Sequence, residues 1–347
     1  MTTWMKRSAL GLALAGSLGL AAPSANAGAM ATAILDLQNL LFIDPGTGLP
    51  LANGTNVTVI GFSQNANATA TLNGTTVGVS VPSGIGIDIA PQCLGAGCGD
   101  PRLASNTFGS AGVYSTVAGD PSPPGSPVSQ SDQLESGSPV SGVSDGMGGF
   151  LATPARVAAS STTSLFGNSS GDADANNGIT AQFTFILTSD GTVRIEFDAT
   201  AYLETFVQFL PITLGESAQA SYDVSFSVDN LTTGMNVFSW TPDGAGGGIT
   251  GGTELLDPFD LNDTISNTDI LGGNFFRPGG IFNVKGSTAT GSFAALTPVL
   301  AVGDSYQLTA RMGTRVDVAS VPEPGTLGLL GLALVGIGYF GRRRMSS

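Results

Sequence analysis

The sequence predicts an all-β fold: an antiparallel β-sandwich with long Gly/Ser/Pro-rich loops. Composition is the first reason, because only 11% of the 347 residues are charged and 50 are glycine, whereas helices favour Glu, Lys, Leu and Arg. Alternation is the second reason, because apolar residues recur at every second position in several runs that end in turn residues. Strands of that period bury one face each, and two sheets packed through those faces make a sandwich.

The predicted strands are spread over most of the chain. Short β-prone runs at Val57–Ser63, Thr75–Val81 and Ile85–Ile89 are separated by Asn-Gly or Pro-Ser-Gly turns. Later runs cover Ser217–Val228, Met235–Trp240, Ile281–Leu296 and Tyr306–Val318, and Ala199–Leu214 is assigned as strand or irregular structure.

The strongest local signal predicts a β-hairpin. Alternating apolar residues over Ile179–Leu187 are followed by a Ser-Asp-Gly turn at 189–191 and by a second alternating run over Val193–Ala201. Period-two patterns on both sides of an Asp-Gly dipeptide are typical of adjacent antiparallel strands. We therefore expect these two runs to pair with each other.

A low-complexity segment divides the β-rich region of residues 28–320. Residues 120–149 are rich in Pro, Ser and Gly and hold almost no large apolar residue, which is typical of a loop or linker. One sandwich with a long insertion and two β-units joined by a linker both fit this pattern.

The N-terminus has the pattern of a secretory signal peptide over residues 1–27. Lys6 and Arg7 form a positive region, residues 8–20 are apolar, and Pro23 ends that run. Ala25 and Ala27 then provide the small residues of a cleavage site. We expect the region from residue 28 onwards to be an extracytoplasmic domain.

The C-terminus, residues 321–347, has the pattern of a membrane-retained tail. Residues 325–341 are almost wholly apolar, and as a transmembrane helix they would span roughly 25 Å. Three arginines follow and would stay on the cytoplasmic side, which leaves the body outside. The tail has three parts. The short motif is Val321, Pro322, Glu323 and Pro324, the apolar segment is 325–341, and the basic cluster is Arg342, Arg343 and Arg344.

This three-part tail resembles the PEP-CTERM sorting signal of Gram-negative bacteria. The resemblance implies recognition by an exosortase-type membrane transpeptidase, with processing at or near Pro322, Glu323 and Pro324. It also implies an association with exopolysaccharide or biofilm, after a transient stage as an inner-membrane-tethered precursor. The resemblance covers under a tenth of the chain and implies nothing about residues 28–320.

Charge excludes one class of partner. The formal net charge is −14, and five of the twelve basic residues lie in the two terminal segments, so the region between them is more acidic still. Such a surface repels phosphate backbones and argues against nucleic-acid binding. The chain also contains no histidine, which excludes Ser-His-Asp and Cys-His catalytic machinery and most zinc sites.

The two cysteines predict a small disulfide. Cys93 and Cys98 are joined by a glycine-rich loop in a chain that we expect to be exported. A reactive thiol pair is the alternative, although the Cys-x-x-Cys spacing typical of redox sites is absent.

A weak calcium site is predicted at Asp172, Asp174 and Asn176. Oxygen ligands at alternate positions match the opening of a calcium loop, but Asn177 and Phe183 replace the glycine and the glutamate of the EF-hand. The alternative is an ordinary turn, because Asp and Asn also favour turns.

Three other sets of residues are candidates for catalysis or sugar binding. Glu196 and Asp198 share a strand face and could serve a glycosidase, although Arg194 on that face favours a solvent-facing charged row. Lys285, followed by Gly286 and Ser287, is a weak candidate for a Ser-Lys dyad. Trp240, beside a turn, is the candidate aromatic platform for a sugar, with Tyr202, Tyr222 and Tyr306 as further aromatics.

The sequence therefore predicts a non-catalytic exported protein of the cell surface or extracellular matrix, without a cofactor other than the calcium candidate. One alternative is a carbohydrate- or calcium-binding module of the same matrix. Another is a glycoside hydrolase.

Overall fold

The computed structural model describes residues 29–84, 87–98, 127–135, 138–143, 153–162, 169–174, 179–207, 216–268, 273–276 and 289–320. Within these residues all regular structure is β-strand, and eighteen strands, numbered in chain order, form two sheets of nine. All pairs between these strands are antiparallel. The predicted all-β, antiparallel class is thus confirmed.

Sheet I has the strand order β14-β17-β10-β1-β7-β6-β5, with β16 beside β10 and β2 beside β1. Its strands are β1 (Ala29–Asp44), β2 (Leu49–Pro50), β5 (Ile87–Gly95), β6 (Val128–Glu135), β7 (Thr153–Thr162), β10 (Arg194–Val207), β14 (Thr253–Leu256), β16 (Gly273–Phe276) and β17 (Ala289–Leu296).

Sheet II has the order β13-β12-β11-β18-β8-β3-β4, with β15 beside β11. β9 also pairs with both β18 and β3, along a different part of these two strands from β8. Its strands are β3 (Val57–Leu72), β4 (Thr75–Gly84), β8 (Ser169–Asp174), β9 (Ile179–Leu187), β11 (Ser217–Asn230), β12 (Met235–Trp240), β13 (Ile249–Thr250), β15 (Thr264–Thr268) and β18 (Ser305–Ser320).

The two sheets pack face to face around one continuous cluster of buried apolar side chains. Aromatic rings cross the interface: the Phe42 ring of sheet I lies 5.5 Å from that of Phe183 in sheet II. Phe197 of sheet I lies 5.2 Å from Phe226 of sheet II. Strands from the N-terminal third of the chain pair with strands from its C-terminal half, as β1 does with β10 and β3 with β9.

The predicted hairpin is wrong, although both of its strands are present. β9 belongs to sheet II and β10 to sheet I, so the connection between them crosses from one sheet to the other. Residue Gly191 in this connection forms a bridge with Leu300, and the Asp190 carboxylate accepts a hydrogen bond from the backbone N–H of Val302 at 2.6 Å. Local alternation does not distinguish the two arrangements, because the alternating apolar side chains of both strands face the same core.

Strand β1 has no counterpart among the predicted strands. Its first nine residues, Ala29–Leu37, are buried on both faces, because β1 lies between β10 and β7 at the centre of sheet I and its outer face is covered as well. Thr32 and Asp36 on that outer face are only 1% and 2% exposed. A strand covered on both sides loses the period-two signal by which a strand is recognised.

The assignment of Ala199–Leu214 as strand or irregular agrees with β10 as far as Val207, and residues 208–215 lie outside the described residues. The low-complexity segment lies outside them too, except for residues 127–135, which include β6, and 138–143. Of the run Ile281–Leu296, the part described is β17.

Removal of the Phe197 side chain is predicted to cost about 3–5 kcal/mol of unfolding free energy, because truncating a buried aromatic leaves a cavity. The measurement is urea-induced unfolding of the Phe197→Ala variant. Thr200→Ala, on the outer face of the same strand, is the matched control and should cost at most about 1 kcal/mol. Similar losses in the two variants would contradict the inward placement of Phe197.

Candidate functional site

The first and last described residues lie at the same end of the sandwich. Ala29 is opposite Val207, so β1 begins where β10 ends. Ser305, at the start of β18, is opposite Ile186, near the end of β9. A short crossing connects the end of β9 to the start of β10, so the start of β18 lies near the start of β10. The start of β18 is therefore at the far end from Ala29, and the last residue of β18, Ser320, is at the same end as Ala29. We name this the proximal end, and the other the distal end.

The predicted sorting and processing residues lie outside the described residues. These are the cleavage residues Ala25 and Ala27 and the tail residues Val321, Pro322, Glu323, Pro324, Arg342, Arg343 and Arg344. The described residues include no membrane-spanning helix. The described body ends at Ser320, directly before the tail.

The predicted disulfide is present. The Sγ atoms of Cys93 and Cys98 are bonded, and their Cα atoms are 5.9 Å apart. The bond closes the loop that leaves β5 at the proximal end. Gly95, the last residue of β5, has a φ of +109°, and a Cβ there would lie 2.2 Å from the carbonyl oxygen of Pro127. Glycine is therefore required between the two cysteines.

Two of the three calcium candidates lie in a strand. Asp172 and Asp174 belong to β8, where Asp172 is opposite Asp317 of β18 and Thr71 of β3. Asn176 lies outside the described residues. Among the residues that are described, no group of three or more His, Cys, Asp or Glu is arranged to hold a metal ion. The calcium assignment stays a prediction.

Glu196 and Asp198 have partners within the sheet surface. Glu196 Oε1 forms an ion pair with Arg194 Nε at 2.7 Å. The Asp198 carboxylate accepts hydrogen bonds from Asn39 Nδ2 at 2.8 Å and from the Ser292 hydroxyl at 2.6 Å. Both carboxylates therefore belong to a partly exposed row of polar side chains on sheet I. This arrangement agrees with the solvent-facing charged row that the sequence favoured over a glycosidase site. Lys285 and Ser287 lie outside the described residues.

The prediction that Trp240 is a sugar platform is wrong. Its side chain is fully buried and stacks at 5.3 Å on Phe226, with Phe197 at 5.7 Å. Tyr202, Tyr222 and Tyr306 are also buried. A strand end beside a turn suggested an exposed indole, but the segment that follows the turn folds back over it as β13 and β14. Trp240, Tyr222 and Tyr306 belong to the core cluster, whereas the buried Tyr202 donates a hydrogen bond from its hydroxyl to Glu204. None of the four rings is exposed to contact a saccharide.

A carboxyl pair that the sequence did not reveal lies beside Trp240. Glu254 Oε1 accepts the indole N–H of Trp240 at 2.8 Å. Asp257 Oδ2 accepts the backbone N–H groups of Asp243 and Gly244, both at 2.8 Å. Burial, together with the hydrogen bond and the negative charge of Glu254, raises the pKa of Asp257 from 3.8 to about 6, against the lowering effect of the two N–H donors.

This pair fixes the glycine-rich loop between β12 and β14 to the body. Asp257 holds the start of the loop through two N–H groups, and Glu254 connects β14 to the buried indole. The signal in the sequence was the run of glycines at 246–248 between Asp243 and Glu254, because a loop without side chains needs acceptors from elsewhere to order it.

Comparison with known families bears on the tail. Residues 320–344 match the family described as the PEP-CTERM protein-sorting motif. The chain carries a PEP-CTERM sorting signal. The motif implies export, membrane-associated sorting and processing by exosortase, as the resemblance of residues 321–347 predicted. The match begins at the last residue of β18, so it adds the tail to the sandwich without describing the sandwich itself.

Other comparisons do not inform the body. No curated protein matches the chain. The structure of the infectious bursal disease virus Gx strain is 12% identical over 90% of this chain and 88% of that chain, with a TM-score of 0.10. The VP2 subviral particle of infectious bursal disease virus is 11% identical over 90% and 89%, also with a TM-score of 0.10. At these scores the likeness carries no argument.

The raised pKa of Asp257 predicts a specific pH dependence of stability. The folded chain holds this proton more tightly than the unfolded chain, so the contribution is complete below pH 3.8 and is lost as the pH rises through about 6. Asp257→Asn keeps an acceptor for the two N–H groups and removes the titration. We expect its unfolding free energy to fall less than that of the unchanged protein between pH 4 and pH 7.

Urea unfolding at half-unit pH steps provides the measurement. Asp317→Asn removes an exposed carboxylate of β18 and is the matched control, which should keep the original pH profile. An Asp257→Asn profile that coincides with the control would show that Asp257 does not titrate in this range in the folded chain.

Proposed function

We propose that this chain is a non-catalytic, exported protein of the cell surface or extracellular matrix of a Gram-negative bacterium. In this proposal the C-terminal tail holds a precursor in the inner membrane until an exosortase-type transpeptidase cuts near Glu323 and passes the sandwich outwards. The observation that carries the proposal is the PEP-CTERM motif at residues 320–344. Exopolysaccharide or biofilm is the proposed setting of the mature protein, and no cofactor is assigned to it.

The positions of the first and last described residues support this order of tethering and cleavage. Ala29 follows the predicted signal cleavage site by two residues, and Ser320 precedes the sorting motif, and both lie at the proximal end. During tethering, that end faces the membrane and β18 leads away from it. Sixteen residues of strand extend about 50 Å, so the distal end of the sandwich lies about that far from Ser320, the residue that directly precedes the tail.

The composition of the body supports an extracellular setting. The whole chain has a net charge of −14, and five of its twelve basic residues lie in the terminal segments, so the body is more acidic still. This charge favours solubility and repels anionic lipid, and the Cys93–Cys98 disulfide is typical of proteins that fold in an oxidising compartment. The non-catalytic assignment rests on the lack of histidine and on the carboxylates described above, each of which contacts a partner within the fold.

Processing gives the test of this proposal. Replacing Glu323 by Ala in the producing cell is expected to leave the precursor uncut, because the sorting enzyme loses the central residue of its motif. The precursor should then accumulate in the membrane fraction, and the released form should be lost from the medium. Immunoblots of the membrane and cell-free fractions, with an antibody against the sandwich, measure both.

The matched control is Asp317→Ala, which removes an exposed acidic residue on β18 just before the motif. We expect its release to be unchanged. Normal release and normal size of the Glu323→Ala chain would contradict the proposed processing, whereas failure of both variants would point to the fold rather than the motif.

A further inference from the structure

Strand β4 is an open edge of sheet II. It pairs with β3 on one side, and the sheet's strand order ends there. Thr76, Gly78, Val79 and Ser80 are exposed, and no strand among the described residues pairs with this edge. Its first seven residues, Thr75–Val81, pair with β3 in regular register before a bulge interrupts the pairing. An open strand of this length is a template for pairing with another chain.

The other strands that end the two sheets are protected. β5 carries Pro91 and a bulge between Ile89 and Gln92. β14 is four residues long, with a bulge and the charge of Glu254. β13 has only two residues. Short strands, prolines, bulges and charges are the usual means of blocking edge-to-edge pairing, and the regular part of β4 has none of them.

The backbone groups of β4 that face outward can be assigned from its hairpin. The turn between β3 and β4 is Asn73-Gly74, with φ angles of 52° and 77°, which is a two-residue turn of type I′. The flanking residues Leu72 and Thr75 of such a hairpin are a hydrogen-bonded pair, and the pairs then alternate along the strands. Thr76, Gly78 and Ser80 therefore direct their N–H and C=O groups away from β3.

The apolar side chains at the β4 edge of the core are also only partly covered. Val77, Val79 and Val81 are opposite Ala70, Ala68 and Ala66, whose side chains face the core. These valines therefore face the same side. Val79 nevertheless remains 42% exposed, because no further strand lies beside it. A strand added at this edge would bury the remaining surface of the valine row.

We infer that β4 pairs with β4 of a second copy of this chain, in antiparallel orientation, and so joins two sandwiches through a continuous sheet. Two identical antiparallel edges satisfy each other's outward N–H and C=O groups about a two-fold axis. The valine rows of the two copies then lie side by side at the joint and complete the core margin of each. This inference does not depend on the sorting of the chain.

Charge favours a second copy as the partner. Between Asp44 and Asp88 the chain has no charged side chain, and this neutral stretch includes β2, β3 and β4. The whole chain has a net charge of −14, so two copies repel each other at most other surfaces. At the β4 edge they can meet without like charges opposite each other. A basic partner would be favoured by acidic residues at this edge, and it carries none.

The experiment measures the mass of the full-length chain in a mild detergent that covers the apolar tail, by light scattering over a hundredfold range of concentration. The unchanged chain should shift from monomer to dimer as the concentration rises. Ser80→Pro removes an outward N–H without breaking a bond to β3, and Val79→Glu places like charges opposite each other at the joint. Both variants should stay monomeric at every concentration.

Two matched controls separate the edge from general effects. Ser80→Ala keeps the N–H group, and Val302→Glu adds the same charge at a valine that is 51% exposed in a distal loop. Both should dimerise as the unchanged chain does. A thermal melt of each variant shows whether it is folded, and Val79→Glu tests the edge even if the proline impairs folding.

Hydrogen exchange provides a second reading. The backbone N–H groups of Thr76, Gly78 and Ser80 should become protected as the concentration of the unchanged chain rises. A monomer throughout the range, or a dimer whose β4 exchange and mass do not respond to the substitutions, would overturn the inference. Protection of β4 by a different protein, with no self-association, would also overturn it.

Discussion

The contact between the two sheets is the interaction on which the rest of the structure depends. Phe197 lies at its centre and packs against Phe226 across the interface and against Phe293 within sheet I, with ring centroids 5.2 and 5.0 Å apart. No helix stabilises the described body, and few ion pairs are available to a chain with so few cations. The free energy that holds the sheets together therefore comes chiefly from burying apolar surface between them.

This constraint also explains how the two ends of the body come together. Each sheet must bury one face against the other, so the chain has to cross between sheets, as it does from β9 to β10. β1 and β18 are among its longest strands, each of sixteen residues, and they run in opposite directions in different sheets. The first strand thus begins, and the last strand ends, at the proximal end. A sandwich of this kind is suited to a tether at one end.

Much of the fold could be predicted from the sequence because local alternation reports which residues face the core. It marked β9, β11, β12 and β18 correctly. It could not show that β9 and β10 lie in different sheets, since that depends on the distant bridge between Gly191 and Leu300. It missed β1 because burial on both faces removes the alternation. Trp240 was misplaced because β13 and β14, which cover it, lie in a segment without a clear pattern.

The candidate site was predictable only where the signal is short and local. The tail shows its three parts in consecutive residues, and the disulfide joins cysteines five positions apart. The carboxyl pair Glu254 and Asp257 depends on how a glycine-rich loop folds back, which the sequence does not show. The open edge at β4 depends on the strand order of the whole sheet and was likewise hidden.

The most direct test of the account is the intact mass of the protein that the producing cell releases. We expect a chain that begins near Gly28 and ends close to Pro322–Pro324, with a mass lower by two hydrogen atoms than that of the free dithiol because Cys93 and Cys98 are joined. A released chain with residues 1–27 and the apolar segment 325–341 still attached would contradict it.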